Sequence, residues 1–271
     1  MQIDLNVYPG TRIEKLHTAV KPFALIAREL FKPFRKYTKE KISYMGDGIT
    51  SSNNCDFLYT EKFKKAYARC CKSFGSSDIN IQWRIHQAIW CASVTRPLKG
   101  DLIEFGVGKG LVMSSILEVY ENWEHSNKKL FLVDTFSPYN IDPLNGQQNN
   151  NQSINPFYAG SLNHVKSNFA AFKNVEFIMG FVPNVLSAVK VDKISLVHID
   201  MNYFAPEIAA LEFCWEKIVP GGIILLDDYA YKNHGEQYHA MNRLAKKLNF
   251  EILSTPTGQG IIIKSHHSND E

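Results

Sequence analysis

Three aspartates follow two β-rich runs of the sequence. Asp200 closes the run over residues 193–200, and Asp227 and Asp228 lie near the end of the apolar run over residues 223–229. Because the carboxyl ends of the strands line the ligand crevice of an open α/β sheet, we expect the three carboxylates to converge there. Close carboxylates repel one another unless positive charge lies between them, and a hard divalent cation suits their oxygen atoms best. The competing interpretation makes Asp228 a helix cap and leaves Asp227 in solvent.

A glycine-rich turn follows the first β-rich run, over residues 101–107, and has the form acid-x-Gly-x-Gly-x-Gly. Its glycines allow a tight turn and a close approach of backbone N–H groups to a ligand. A dinucleotide-binding turn needs Gly-x-Gly-x-x-Gly, and this sequence has Leu111 at the last position. The acid, Glu104, instead suits the ammonium group of a methionine tail, which favours S-adenosylmethionine. A glycine turn beside a solvated Glu104 is the competing interpretation.

A further acid, Asp134, stands at the end of the next β-rich run, 26 residues after Gly108. In nucleotide-binding sheets an acid at that place accepts hydrogen bonds from ribose hydroxyls. Residues 180 and 181, after the third run, would lie beside the adenine. The candidate cofactor-binding residues are therefore Glu104, Gly106, Val107, Gly108, Asp134, Gly180 and Phe181.

A short-chain dehydrogenase is a competing enzyme class for this pattern. That class needs Tyr-x-x-x-Lys downstream of the glycine turn, and the match in this chain, from Tyr37 to Lys41, lies upstream. The sequence therefore argues against a dehydrogenase.

After about residue 100, β-rich runs alternate with helical stretches, and the candidate site residues lie in this part of the chain. The alternation predicts an α/β fold with a parallel sheet covered by helices on both faces. We expect a helix after the strand over residues 175–180, and a turn at Pro220 to Gly222 before the strand over residues 223–229. The last two runs are joined by about four or five residues, too few for a parallel crossover, so the last strand must be antiparallel. Such a mostly parallel seven-stranded sheet resembles the Rossmann-like fold of class I S-adenosylmethionine-dependent methyltransferases.

The N-terminal part of the chain has a different pattern. Residues 11–45 predict a helix broken at two prolines, and residues 46–54 predict a loop. Helices are expected over residues 56–74 and 79–95, with Asp78 as N-cap of the second. We therefore expect a helical extension over residues 1–78, acting as lid or oligomerisation arm, and a methyltransferase domain over residues 79–271. Within that domain the polar residues 137–156 predict a mobile loop.

Several motifs over residues 80–264 together resemble the macrocin O-methyltransferase (TylF-like) family. They are Gly100 to Val107, Asp134-Thr-Phe136, His198-Ile-Asp200-Met-Asn202-Tyr203, Ala210-Leu211, Pro220-Gly221-Gly222 and Asp227-Asp228-Tyr229. The resemblance implies transfer of a methyl group from S-adenosylmethionine to a hydroxyl of a sugar or glycosylated small molecule. It also implies a magnesium ion held by Asp200, Asp227 and Asp228.

The chain departs from the family at one position. The family has Asp-x-Asp-x-Tyr at the end of that strand, with the second aspartate as general base, whereas this chain has Asn202 there. An amide does not accept a proton at neutral pH. The candidate catalytic residues are therefore Asn202, His234 and His198, and for each histidine an ordinary surface or core role is the competing interpretation. A binding module that has lost its chemistry is the alternative function that Asn202 supports.

Composition and charge restrict the partners. Hydrophobic residues make up 45% and charged residues 21% of the 271 residues, an ordinary globular composition. No apolar run approaches the length of about 20 residues that a membrane span needs. Five cysteines without metal-ligand spacing favour a reduced, cytoplasmic protein.

The formal net charge of +3 is unevenly distributed, since residues 1–45 carry nine Lys or Arg and four Asp or Glu. A basic segment suits an anionic partner such as nucleic acid, and a nucleic-acid methyltransferase is a second alternative. The remaining chain has no net positive charge and lacks a pattern for holding an extruded base, so a nucleic-acid partner is not expected. The apolar face of the basic segment instead favours a packed lid or a homo-oligomer contact.

Overall fold

The computed structural model describes residues 42–137 and 160–265. Within them, residues 44–50 and the residues from 55 onward belong to one compact unit, whereas residues 42–43 and 51–54 belong to a second. Most of the predicted helix over residues 11–45 and nearly all of the predicted loop over residues 137–156 lie outside the described residues. The domain boundary after residue 78 stays a prediction.

A short hairpin opens the described chain, where the sequence predicted the end of a helix and a loop. Strands β1 (Tyr44–Gly46) and β2 (Ile49–Ser51) form a two-stranded sheet. The turn residues Asp47 and Gly48 have φ angles of 47° and 74°. Positive φ at two central residues is the conformation of a tight hairpin turn, and Asp-Gly is among its preferred sequences. The prediction of helix up to residue 45 is therefore wrong at residues 42–45, and the predicted loop contains a strand.

Seven further strands form the main sheet, in the order β5-β4-β3-β6-β7-β9-β8. They are β3 (Asp101–Phe105), β4 (Leu130–Asp134), β5 (Val175–Met179), β6 (Ile194–Ile199), β7 (Ile218–Leu226), β8 (Leu253–Ser254) and β9 (Gly260–Ile263). Strands β3 to β7 pair in parallel, and β9 pairs antiparallel with both β7 and β8. This topology confirms the predicted α/β fold with an antiparallel last strand.

Helices cover both faces of the sheet, as the apolar strands require. They are α1 (Glu61–Phe74), α2 (Gln82–Thr95), α3 (Leu111–Glu118), α4 (Leu162–Phe169), α5 (Phe204–Trp215) and α6 (Gly235–Leu248). Alternate strand residues face opposite layers: Leu102, Leu132 and Leu196 pack with α1 to α4, whereas their neighbours Ile103, Phe131 and Val197 pack with α5 and α6. None of the helices within residues 42–137 and 160–265 has the length and apolarity to cross a membrane.

Three local predictions differ from the structure. Only a 3-10 helix, over residues 184–188, follows β5 where a full helix was expected. Pro220 to Gly222 lies inside β7 instead of forming a turn before it, at an irregularity in the pairing with β6. Asp78 is not an N-cap, because α2 begins at Gln82; its carboxylate accepts a hydrogen bond from the backbone N–H of Asn80 at 2.8 Å.

Candidate active site

The three predicted aspartates lie together at the carboxyl ends of β6 and β7. Asp200 follows β6, and Asp227 and Asp228 follow β7, its parallel neighbour. One carboxylate oxygen from each residue lies within 4.8 Å of the others. Because consecutive residues face opposite sides of a strand, Asp227 is directed towards the layer of α2 and Asp228 towards His234. We call this group the acidic site.

The negative charge of the acidic site is only partly compensated by positive side chains around it. Burial and the neighbouring carboxylates Asp227 and Asp228 raise the pKa of Asp200 well above its ordinary value. Burial and the charge of Asp227 likewise raise the pKa of Asp228, to about 6. At Asp227 the effect of burial is outweighed by the charge of Arg84, which holds the pKa of that carboxyl well below its usual range. A further cation would therefore be stabilised here, most strongly beside Asp200 and Asp228.

Two residues that the sequence did not single out hold Asp227 in place. Arg84 Nη1 donates a hydrogen bond to Asp227 Oδ2 at 2.5 Å, and Gln259 Nε2 donates one to Asp227 Oδ1 at 2.7 Å. Arg84 also donates from Nε to Asp47 Oδ2 at 2.8 Å. One feature of the sequence could have indicated that Arg84 is buried. It is the one formally charged residue of α2, and it lies beside the apolar positions of that helix. No comparable sign marked Gln259, which lies in the turn before β9.

Asn202, at the position where an aspartate was expected, touches the acidic site. Its side chain is exposed, its φ is 58°, and its Nδ2 donates a hydrogen bond to Asp200 Oδ1 at 3.2 Å. Asparagine is among the residues that adopt this left-handed conformation most readily. The Asn202 amide therefore contacts the Asp200 carboxylate, and a catalytic role for Asn202 stays a prediction.

The two candidate histidines differ in their surroundings. His234 is partly buried, with 22% of its side chain exposed, and its Nδ1 lies 3.8 Å from Asp228 Oδ2 and 2.7 Å from Gln237 Nε2. His198 is 1% exposed, and its Nδ1 lies 2.8 Å from Glu104 Oε1. Burial lowers the pKa of His198, but the carboxylates of Asp227 and Glu104 outweigh it and raise the pKa to about 10. The carboxylates around His198 thus favour its protonated form, and the catalytic roles of His198 and His234 both stay predictions.

Glu104 lies deep in the sheet instead of at a solvent-facing turn. It is opposite His198 in the pairing of β3 with β6 and is 1% exposed. Its Oε1 lies within hydrogen-bonding distance of His198 Nδ1, and its Oε2 has no hydrogen-bond partner among residues 42–137 and 160–265. A buried carboxylate oxygen without a donor is an unmet acceptor. The predicted role of Glu104 towards an ammonium group matches that unmet acceptor and stays a prediction.

The glycine turn after β3 is tied to β4 by Asp134. The Oδ2 atom of Asp134 accepts hydrogen bonds from the backbone N–H groups of Val107 at 2.6 Å and Gly108 at 3.1 Å, and Oδ1 accepts one from Phe136 N at 2.6 Å. Gly106 has a φ of 82°, and a Cβ there would meet the carbonyl oxygen of Asp200 at 1.8 Å. The turn thus contacts the acidic site through the backbone, and only glycine fits at 106.

The remaining predicted cofactor residues lie at the next strand end. Gly180 N donates a hydrogen bond to the carbonyl oxygen of Asp134 at 2.9 Å, so the end of β5 lies beside the end of β4. Gly180 and Phe181 are both half-buried. Their predicted contact with an adenine stays a prediction.

A buried carboxylate that the sequence reading missed lies next to the acidic site. Glu207, in the first turn of α5, is 4% exposed, and its Oε1 accepts a hydrogen bond from Met201 N at 3.3 Å. Burial, together with the charge of Asp228, raises the pKa of Glu207 to about 8. The sequence offered no sign of this burial, since acids are frequent in the first turn of exposed helices.

The strand order, the antiparallel β9 and the glycine turn at the end of β3 define the Rossmann-like fold of class I methyltransferases. Two solved structures share it. The O-methyltransferase NovP aligns with a TM-score of 0.63 and 16% identity over 78% of this chain and 100% of its own. CalS11, a calicheamicin methyltransferase, aligns with a TM-score of 0.53 and 14% identity over 79% of this chain and 98% of its own.

The macrocin-O-methyltransferase (TylF) family model matches residues 82–256, and the chain belongs to that family. A curated relative from Streptomyces olivaceus, 8-demethyl-8-(2,3-dimethoxy-alpha-L-rhamnosyl)-tetracenomycin-C 4'-O-methyltransferase, is 23% identical over 146 residues. That match covers 48% of this chain and 53% of the relative, so the chain spans about half the length of the relative.

Proposed function

We propose that the protein is an S-adenosylmethionine-dependent O-methyltransferase that methylates a hydroxyl of a sugar or glycosylated small molecule with the help of Mg²⁺. The observation that carries the proposal is the acidic site, in which Asp200, Asp227 and Asp228 converge at the crevice edge of the sheet. Membership of the macrocin-O-methyltransferase family supports the reaction. The name of the relative from Streptomyces olivaceus, which acts on a rhamnosyl group, supports a sugar hydroxyl as acceptor.

The residues at the ends of β3 and β4 fit S-adenosylmethionine. The unmet Oε2 atom of Glu104 suits an ammonium donor, and the glycine turn over residues 106–110 lets backbone N–H groups approach a ligand. We assign Glu104, Gly106, Val107, Gly108, Asp134, Gly180 and Phe181 to this site. The cofactor supplies an electrophilic methyl group, and the protein supplies orientation and a site that excludes water.

The acidic site fits a hard divalent cation, because its ligands are carboxylate oxygens and its charge is only partly offset. Such a cation favours the ionised form of a hydroxyl beside it. Asn202 contributes by orienting Asp200 through the hydrogen bond at 3.2 Å. We propose His234 as the proton acceptor, since its Nδ1 lies 3.8 Å from Asp228 Oδ2, at the edge of the acidic site.

The proposal is tested by methyl transfer from labelled S-adenosylmethionine to a panel of nucleotide sugars and glycosides. We expect incorporation into at least one acceptor, loss of that incorporation with EDTA, and its return when Mg²⁺ is added. Transfer that persists in EDTA would remove the cation from the proposal. Binding of S-adenosylmethionine without transfer to any acceptor would contradict the enzyme itself.

A catalytically impaired binding module is the second candidate, and Asn202 is the observation that favours it. Under this alternative the amide has replaced the base and no other group substitutes for it. Asn202→Asp then restores methyl transfer from an undetectable level. If the chain is an active enzyme with His234 as base, His234→Gln lowers the rate by about 100-fold or more, and Asn202→Asp changes it little.

We also propose the domain division after residue 78, a homo-oligomeric assembly and a cytoplasmic location. The odd number of cysteines and their lack of metal-ligand spacing support a reducing compartment. Deletion of residues 1–45, followed by light scattering and activity measurements, tests the extension as an oligomerisation arm or lid.

A further inference from the structure

Arg84 is a buried arginine with four carboxyl or carbonyl partners. It is 7% exposed and lies on α2, opposite the carboxyl end of β7. Besides the bonds to Asp227 Oδ2 and Asp47 Oδ2, its Nη1 donates to the Asp227 carbonyl oxygen at 3.2 Å and its Nη2 to the Thr257 carbonyl oxygen at 3.0 Å. The Tyr231 ring covers the guanidinium at 4.7 Å. The planar, fork-shaped guanidinium meets this set of acceptors in a way that a lysine ammonium does not.

Arg84 contacts Asp227 much more closely than Asp228. Both oxygens of Asp227 are held by protein donors, from Arg84 and from Gln259. In contrast, the Asp228 carboxylate has Arg84 Nη1 only at 4.0 Å and His234 Nδ1 at 3.8 Å. Asp227 is thus fixed before any cation binds, whereas Asp228 retains oxygen lone pairs that face no close cationic partner among residues 42–137 and 160–265.

The same arginine joins the acidic site to the β1–β2 hairpin. Asp47 lies at the tight turn of that hairpin, and its carboxylate pairs with Arg84 while both side chains are less than a tenth exposed. Residues 47 and 227 are 180 positions apart in the sequence and are linked through one guanidinium. A change in the position of Asp227 is therefore transmitted to the hairpin turn through a rigid group.

We propose that Arg84 is a positioning residue of the acidic site, which presets Asp227 for a divalent cation and fastens the β1–β2 hairpin to the occupied site through Asp47. The inference rests on the proposed cation-dependent function. The preset Asp227 carboxylate would gain a further bond when a cation is held by the acidic site, so the guanidinium and the hairpin turn attached to it would become harder to displace. The site and the hairpin consequently become ordered together.

The experiment uses the full chain and Mn²⁺ as a spectroscopic probe. Arg84→Lys retains the charge but not the fork, Asp47→Asn breaks the link to the hairpin only, and Arg96→Lys serves as control because Arg96 forms an exposed ion pair with Glu121 next to the same helix. Mn²⁺ affinity is measured by electron paramagnetic resonance. Amide hydrogen exchange of residues 44–50 is measured with and without the ion, and thermal melting checks that each variant is folded.

We expect Mn²⁺ to slow exchange in the hairpin of the wild-type protein and of the Arg96→Lys control. Arg84→Lys should weaken Mn²⁺ binding by about tenfold or more, in the range that loss of an outer-sphere partner causes, and should make hairpin exchange faster and independent of Mn²⁺. Asp47→Asn should release the hairpin while Mn²⁺ affinity changes by less than about threefold.

The inference is overturned if Arg84→Lys binds Mn²⁺ like the wild type and keeps the same hairpin exchange. If Arg84→Lys does not fold, Asp47→Asn decides, and unchanged hairpin exchange in that variant overturns the link. A wild-type protein that binds no Mn²⁺ contradicts the proposed cation and, with it, the presetting of Asp227. The link to the hairpin is then tested separately, by hydrogen exchange of Arg84→Lys without metal. Faster exchange of residues 44–50 than in the wild type supports the link, and unchanged exchange overturns it.

Discussion

The glycine turn after β3 and the acidic site after β6 and β7 lie at the same edge of the sheet, yet their polar groups are satisfied in opposite ways. In the glycine turn, the Asp134 carboxylate accepts hydrogen bonds from the N–H groups of Val107 and Gly108, so charge and donors match within the protein. In the acidic site, three carboxylates share the charge of Arg84 and a more distant His198.

The difference shows which part of the site is complete by itself. A satisfied turn keeps its shape without a ligand, whereas an excess of buried negative charge is costly until a cation joins it. The elevated pKa values of Asp200 and Asp228 express that cost. We therefore expect substitutions in the glycine turn to lower stability as well as cofactor binding, and substitutions in the acidic site to act on cation binding and activity with little effect on stability.

The largest effect is expected at Asp200. Asp200→Ala removes one of the three converging carboxylates and should lower methyl transfer by more than about 100-fold, beyond the usual effect of losing an outer-sphere partner. Stability should change little, because the variant also relieves repulsion with Asp227 and Asp228. Steady-state kinetics and Mn²⁺ titration check this, with the exposed Asp192→Ala as control. Full activity of Asp200→Ala would refute the metal role of the acidic site.

Gly106→Ala should damage both regions together. The added Cβ would meet the carbonyl oxygen of Asp200 at 1.8 Å, in a backbone conformation with φ of 82°. Positive φ and a backbone clash together should lower the free energy of unfolding by more than about 3 kcal/mol. Chemical denaturation measures this. Gly235→Ala is the matched control, since a Cβ there meets nothing within 4 Å, and an equal loss in both variants would show that the clash is not the cause.

Asp134→Asn tests whether the glycine turn is held by charge. The variant replaces a carboxylate that accepts from Val107, Gly108 and Phe136 by an amide, whose NH₂ group faces backbone donors. Hydrogen bonds to a charged group contribute about 1.5–3 kcal/mol, so we expect a loss of roughly that size in the free energy of unfolding. Urea denaturation against Asp192→Asn measures it. A loss of activity at unchanged stability would show that Asp134 serves the proposed cofactor site without holding the turn.

The smallest expected effect is the pH dependence due to Glu207, which senses the excess charge of the acidic site. Its pKa is raised to about 8 in the folded protein, so the folded state binds the proton more tightly than the unfolded chain. The stabilisation of the folded state by the protonated Glu207 carboxyl is full below the pKa of Glu207 in the unfolded chain. It is lost as the pH rises through about 8.

Glu207→Gln replaces the titrating carboxyl group by an amide that stays neutral. As the pH rises from 6 to 8, the stability of the variant relative to wild type should therefore increase by about 1–2 kcal/mol. Melting curves at both pH values, with the exposed Glu212→Gln on the same helix as control, measure the difference. Parallel pH profiles of Glu207→Gln and wild type would contradict the assignment.

The sequence predicted those features that follow from local patterns. Alternating apolar runs and helical stretches predicted the sheet and its antiparallel end, and acids at strand ends predicted the gathering of Asp200, Asp227 and Asp228. Arg84 and Gln259 were not predicted as site residues, because their contacts with Asp227 span 143 and 32 residues and depend on tertiary packing. The hairpin over residues 44–51 was missed because a helical apolar pattern was extended to residue 45 and the turn-forming residues 46–54 were predicted as a loop.

Asp134 has a consequence for the speed and thermodynamics of ligand binding. Its bonds to Val107 and Gly108 leave the glycine turn already shaped, so a ligand that docks there does not have to immobilise the loop. The entropic penalty of binding is then confined largely to the ligand, and association requires no conformational search by the protein. Calorimetry should accordingly show a small unfavourable entropy from this end of the site, with most of the ordering signal arising elsewhere.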